Sequence, residues 1–202
     1  LASMPLSRAN LGFSYTNVTP QGMRHLFRST TLKSLDLTTF PWPEDYGVEM
    51  MECLETNVSL KEFNLRFVSL TLTRGPDALL KMMSINRHLE HFSLDCDNWG
   101  REEVVIRVIE GLRGSKLKRF AFEGHPVIGI QSLEAAVHML EENLFLENFS
   151  FARSIPQHFE ERIGFYLQLN KAGFRRHIFQ NTRGTRDQCV NTLIDTRHDI
   201  NW

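Results

Sequence analysis

A six-residue phrase recurs along most of the chain and constrains its fold more than any other feature. It reads Leu32-Lys33-Ser34-Leu35-Asp36-Leu37, then Leu60-Lys61-Glu62-Phe63-Asn64-Leu65, then Leu89-Glu90-His91-Phe92-Ser93-Leu94. It returns as Leu117-Lys118-Arg119-Phe120-Ala121-Phe122 and Leu146-Glu147-Asn148-Phe149-Ser150-Phe151. The phrases begin at 32, 60, 89, 117 and 146, in steps of 28, 29, 28 and 29. A weaker first copy, Leu6-Ser7-Arg8-Ala9-Asn10-Leu11, precedes them. Self-similarity at this period is the signature of a solenoid, in which each unit stacks on its neighbours because none can bury its apolar face alone.

Each phrase is followed by a helical pattern. Pro20 opens one through Leu26 and Phe27, and Glu44 and Asp45 suit the positive end of a second that carries Val48, Met51 and Leu54. A third carries Ala78, Leu79, Met82, Met83 and Ile85. The fourth opens at Glu102 and Glu103, aligns Val104, Val108 and Leu112, and closes at Arg113 and Gly114. In the fifth, Leu133, Ala136, Val137, Leu140 and Leu144 share one face of a 3.6-residue period. The sixth runs through Phe159, Ile163, Tyr166 and Leu167 to a stop at Gly173. Residues 174–179 read as a seventh, degraded strand, and 181–202 as a polar tail with a short helix. Trp42 and Trp99 read as plugs where strand turns to helix.

Strand then helix, in the same sense every time, predicts an α/β solenoid with a parallel sheet on one face and helices on the other. The first, fourth and sixth phrase residues point inward. With 42% apolar residues the 202-residue chain has enough material for one continuous core, and the expectation is a single domain over 1–202 with repeats from about 6 to 179.

The phrase LxxLxL at alternating 28 and 29 residues, with a full helix per unit, resembles the ribonuclease-inhibitor-like leucine-rich repeats. Tyr166-Leu167-Gln168-Leu169-Asn170-Lys171-Ala172-Gly173 also resembles the closing repeat of leucine-rich-repeat proteins of diatoms and related algae. The resemblance implies a horseshoe with the sheet on its concave face and a scaffold role in protein binding. Family members usually carry Asn or Cys at the ninth phrase position to bond the turn backbone. Here that position holds Phe40, Val68, Asp97, His125 and Ser154, so the expectation is turns held by apolar packing, without a polar ladder.

The third, fifth and seventh phrase positions should face the open side of the sheet. They supply the candidate partner-binding residues Asp36, Thr38, Asn64, Arg66, His91, Ser93, Asp95, Arg119, Glu123 and Asn148. Their mixed polarity suits a wet protein–protein contact, with Asp36, Asp95 and Glu123 steering a basic partner. Phe67, Val68 and Leu70 form a second candidate patch at the edge. Lys171, Arg175, Arg176, Arg183 and Arg186 make a basic end, read as a polar cap on the last repeat, with docking of an acidic partner or RNA as the alternative.

Catalysis finds little support. His91, Ser93 and Asp95 share a strand face, but a flat strand offers neither a pocket nor oxyanion donors aimed at one point. His88 and His91 fall on opposite faces, and His138 with Glu141 reads as a solvated helix face. No phosphate-binding glycine loop or HExxH is present, and no cofactor or metal is expected. A formal net charge of −1 disfavours nucleic acid, and no apolar run reaches membrane-spanning length. Three dispersed cysteines read as reduced thiols in an intracellular, cytoplasmic protein. The sequons at Asn17, Asn57 and Asn148 read as chance matches. The absence of an initiator Met at Leu1 reads as a fragment or a processed product, even a subunit of a larger complex. The alternatives to a scaffold are a regulator of an enzyme (GTPase-activating or inhibitor-like, with Arg66 or Arg119 at its edge) and the repeat region of a larger receptor or ubiquitin-ligase adaptor.

Overall fold

The computed structural model describes residues 7–13, 20–39, 44–66, 74–96, 101–124 and 126–176. Strand and helix alternate as the period predicts: β1 (Arg8–Phe13), α1 (Pro20–Phe27), β2 (Ser34–Thr39), α2 (Glu44–Thr56), β3 (Glu62–Arg66), α3 (Arg74–Ile85), β4 (His91–Cys96), α4 (Glu102–Gly111), β5 (Arg119–Gly124), α5 (Ile130–Glu142), β6 (Asn148–Phe151) and α6 (Gln157–Lys171). A single 3-10 turn, Leu112–Gly114, follows α4. The strands form one parallel sheet in the order β1-β2-β3-β4-β5-β6. This is a leucine-rich-repeat type of α/β solenoid. Strands pack about 4.8 Å apart and helices 8–10 Å apart, so stacking such units curves the chain with the sheet inside.

The inner ladder is nearly dry. Leu32, Leu60, Leu89, Leu117 and Leu146 at the first phrase position are all buried, as are Leu35, Phe63, Phe92, Phe120 and Phe149 at the fourth. Leu37, Leu65, Leu94 and Phe122 follow at the sixth, and Phe151 on the terminal strand is half-buried. The fourth-position rings form a spine: Phe63 stacks on Phe92 at 5.6 Å, Phe92 meets Phe120 edge-on at 5.7 Å, and Phe120 stacks on Phe149 at 6.4 Å. The helices close over it with Met51, Leu54, Leu79, Met82, Val108, Ile109, Ala136, Val137, Phe159 and Ile163. Ile85, expected on the inner face of α3, is 45% exposed because it sits in the last turn, beyond the cover of its neighbours.

A polar ladder stands at the helix-to-strand turns, the opposite end of each unit from the ninth phrase positions. Asn57, Asn86 and Asn143 stand where helix turns to strand and Asn170 in the last turn of α6, all buried. The Asn86 amide donates to Leu54 O at 2.5 Å and Asn57 O at 3.1 Å in the preceding unit. Its carbonyl accepts the backbone N–H groups of His88 and Leu89, both at 2.8 Å. Asn143 repeats the pattern with Leu112 O and Ser115 O behind it and Phe145 N and Leu146 N ahead. One side chain thus satisfies helix-end carbonyls of one coil and turn donors of its own, which apolar packing could not do. Ser115 fills the equivalent place before β5, and its hydroxyl is buried without a partner.

The last unit ends differently from its prediction. Residues 174–176 are helical, so the seventh strand does not begin there. Gly173 stops α6 in the left-handed region at φ 70°. The reversal brings Arg175 under the stack, where it is buried and donates to Leu140 O at 2.6 Å, Asn143 O at 3.2 Å, Asn170 Oδ1 at 3.1 Å and Glu141 O. Its guanidinium caps the orphan carbonyls of α5 and takes the Asn170 acceptor that turn N–H groups fill in earlier rungs. The expected tryptophan plugs, the Phe67–Leu70 patch, Arg183, Arg186, the tail with Trp202, and the ninth positions other than Ser154 lie outside the described residues.

Candidate functional site

All ten candidate residues fall on one face of the sheet because side chains alternate along a strand and the register is uniform. Asp36 lies beside Asn64, and Asn64 beside Ser93. Thr38, Arg66, Asp95 and Glu123 form a second row, and His91, Arg119 and Asn148 a third, which Glu62 extends. Across β3, β4 and β5 this face holds a shallow groove of about 300 Å3, lined by Glu62, Asn64, Arg66, His91, Ser93, Asp95, Arg119 and Glu123. Ala121, buried between Ser93 and Ser150, keeps its floor low.

Two of the polar contacts here are long and exposed, and a third is shorter and part-buried. Arg66 reaches Asp36 at 3.4 Å, with half of the arginine side chain exposed. Ser34 donates to Glu62 at 2.9 Å, and Ser93 Oγ is 3.4 Å from Glu123. Exposed pairs of this kind contribute about 0–1 kcal/mol, so the face is cheap to rearrange. His91, Ser93 and Asp95 share the face as the alternation requires, and the Ser93 hydroxyl turns to Glu123 on the next strand.

Charge outside the groove is structural. Glu90 bridges Lys61 at 3.2 Å and Lys118 at 2.7 Å across three units. The hydrogen bond from Lys118, reinforced by Lys61, holds the Glu90 carboxyl below the usual carboxylate range, while Glu90 raises Lys118. Glu102 does more than start its own helix. Its carboxylate accepts Gly129 N and Ser132 N at 2.9 Å and Ser132 Oγ at 2.8 Å, capping α5 from the neighbouring unit. Those bonds, the Ser132 backbone first, lower its pKa. His138 contacts Glu141 on an exposed helix face, as expected.

A larger cleft of about 740 Å3 opens on the helix side, where eight-residue α1 covers thirteen-residue α2 incompletely. Arg24, Arg28, Glu49, Glu52, Cys53 and Val58 line part of it, and Arg24 pairs with Glu49. Burial, then Glu49, pushes the Cys53 thiol up, which opposes a nucleophilic thiolate. At the basic end, Lys171 is exposed, but Arg175 is buried and Arg176 bonds Asn170 O at 3.1 Å and Glu147 at 3.4 Å. Arg175 and Arg176 are thus tied into the last unit, and Arg183 and Arg186 lie outside the described residues. No helix among the described residues is long and apolar enough to cross a membrane.

Sequence reasoning placed the open face correctly and missed the asparagine ladder. The signal was available: Asn57, Asn86 and Asn143 each stand three residues before a phrase leucine, at 60, 89 and 146.

No family model matches the chain. No curated protein matches it either. Among solved structures, the tropomodulin C-terminal domain of Caenorhabditis elegans superimposes with a TM-score of 0.61 at 14% identity, covering 80% of this chain and 99% of that one. A structure described as actin-binding site 2 of leiomodin-1 gives a TM-score of 0.47 at 14% identity, with 88% and 87% covered. What the chain shares with the tropomodulin domain is the fold. The likeness to the tropomodulin domain overturns the resemblance to ribonuclease-inhibitor-like repeats and to the algal closing repeat. The physical reason is that LxxLxL at 28–29 residues specifies only a strand, a helix and their coil size. The Tyr166–Gly173 run specifies only an amphipathic helix end with a glycine stop.

Proposed function

We propose that the chain is a protein-interaction module that binds a partner through the open face of its sheet. The observation that carries this reading is a polar face, continuous over five strands, on which Arg66–Asp36 and Ser93–Glu123 are long, exposed contacts, in contrast to the buried asparagine contacts between units. An open sheet with one bare face presents a ready surface, and exposed side chains there cost little to rearrange on binding. The recurrence of the fold in the tropomodulin C-terminal domain supports a scaffold architecture. The ten residues serve recognition, and the chain performs no catalysis of its own.

The test compares the native chain with a variant carrying Asp36, Arg66, Asp95 and Glu123 changed to Ala, both confirmed folded by circular dichroism. Proteins retained by the native chain should be lost by the variant. Equal retention by both would move the site off the sheet face.

A further inference from the structure

The last strand presents an edge. Among the described residues no strand pairs with the outer side of β6. Asn148 donates its N–H to Lys118 O at 2.9 Å, toward β5. Backbone groups alternate sides along a parallel strand, so Phe149 and Phe151 aim theirs outward. β6 reads Asn148-Phe149-Ser150-Phe151 and pairs without a bulge, with neither Pro nor Lys to guard the edge. Behind it a groove of about 290 Å3 opens between β6 and α6, lined by Phe149, Phe151, Ile155, Ile163, Gly164 and Leu167. Phe151 stacks on Phe122 at 5.5 Å and stays half-buried, while Phe122 on the next strand is buried. A side chain at Gly164 would meet nothing within 4 Å.

We propose that a second copy of this chain pairs with β6, antiparallel, about a two-fold axis at Ser150. The axis sets Phe149 opposite Phe151, Ser150 opposite itself and Asn148 opposite Ala152, so each pair keeps to one face of the sheet. Phe149 and Phe151 exchange backbone N–H and C=O groups across the axis, as opposed residues of an antiparallel pair do. Their rings carry the aromatic spine into the second copy and cover the open side of Phe151. The same rotation brings Glu147 to Arg153 of the second copy, so the strand ends meet unlike charge. α6 lies beside its own copy, and Gly164 leaves room for that approach. An unrelated strand would satisfy the backbone, but the matching of rings, small residues and charges comes from this strand's own sequence. α6, with 15 residues, is about 22 Å long, and sheet plus helix are about 20 Å deep, so the end face buries about 900 Å2 over two copies, the size of a weak, reversible contact. The dimer sets both open faces on one side and presents the recognition face twice. It goes beyond the sheet-face reading and does not depend on it.

Sedimentation velocity of the full chain at micromolar concentration should show a reversible dimer. Gly164→Arg should weaken association about tenfold or more with circular dichroism unchanged, because its side chain enters only the groove. Ser150→Cys should oxidise to a linked dimer, since residues opposed at a site without hydrogen bonds stand about 4.5 Å apart, within disulfide reach. Peptide mapping should place that link between the two copies of position 150. Asn148→Cys should not link to itself, being two residues off the axis. A chain that stays monomeric overturns the proposal, whether its own residues beyond Arg176 or another protein cover β6. So does a dimer that Gly164→Arg leaves intact, or one in which Asn148→Cys links to itself as readily as Ser150→Cys. A monomer whose partners are still lost in the four-residue variant keeps the sheet-face reading.

Discussion

The buried asparagine ladder and the open sheet face are both polar, and both repeat with the coil, yet they differ in what their contacts are worth. Asn86 makes four bonds of 2.5–3.1 Å to backbone groups, three of them buried and the one to His88 N part-buried. Arg66 makes a 3.4 Å contact in which half of its side chain stays wet. Removing a partner from a buried group leaves its full desolvation cost, while removing one from an exposed pair lets water take its place. The ladder is therefore bound to the fold, and the face is free to vary. That separation lets one scaffold carry different recognition surfaces.

Four outcomes would break or sharpen this contrast. Asn86→Leu should be the most damaging, stranding two carbonyls and two N–H groups in the turn, for a loss of about 3 kcal/mol in urea unfolding. A loss below about 1 kcal/mol would mean that the ladder is no different from the surface. Arg175→Met comes next, at about 2 kcal/mol, because it uncaps α5 and leaves Asn170 without a donor. Arg175→Lys should recover only part, since an ammonium lacks the fork that spans Leu140, Asn143 and Glu141.

Glu102→Gln should cost about 1 kcal/mol at pH 7, the usual worth of a helix cap. The Glu102 carboxyl is lowered on folding, so its contribution is full above the unfolded carboxylate pKa of about 4.3 and is lost as pH falls through the lower folded value. The native chain should therefore lose more stability than Glu102→Gln as the pH is taken below about 4. Identical acid limbs in the two unfolding curves would remove Glu102 from the account. The smallest effect belongs to the face: Asp95→Ala with Glu123→Ala should change stability by no more than about 0.5 kcal/mol, while binding changes.

The repeat made the sheet legible down to single residues. The columns read from the phrase, such as Ser34, Glu62, His91, Arg119 and Asn148, are the cross-strand neighbours of the structure. A period-two alternation leaves no freedom once one face must be dry. The end of the array was not legible. Phe174, Ile178 and Phe179 suggest a strand, but Gly173 turns the chain and Arg175 finds buried carbonyls that only the finished stack presents.

By itself, then, the sequence determined the unit, its period, the dry ladder and the identity of the open face, because these follow from local spacing repeated six times. The tertiary structure alone decided where polar groups pair between units. Asn86 meets Leu54, Glu102 caps α5 and Arg175 closes α5 across 32, 30 and 35 residues of chain. Such partners are brought within reach only when one coil lies on the next, and no local pattern encodes that distance.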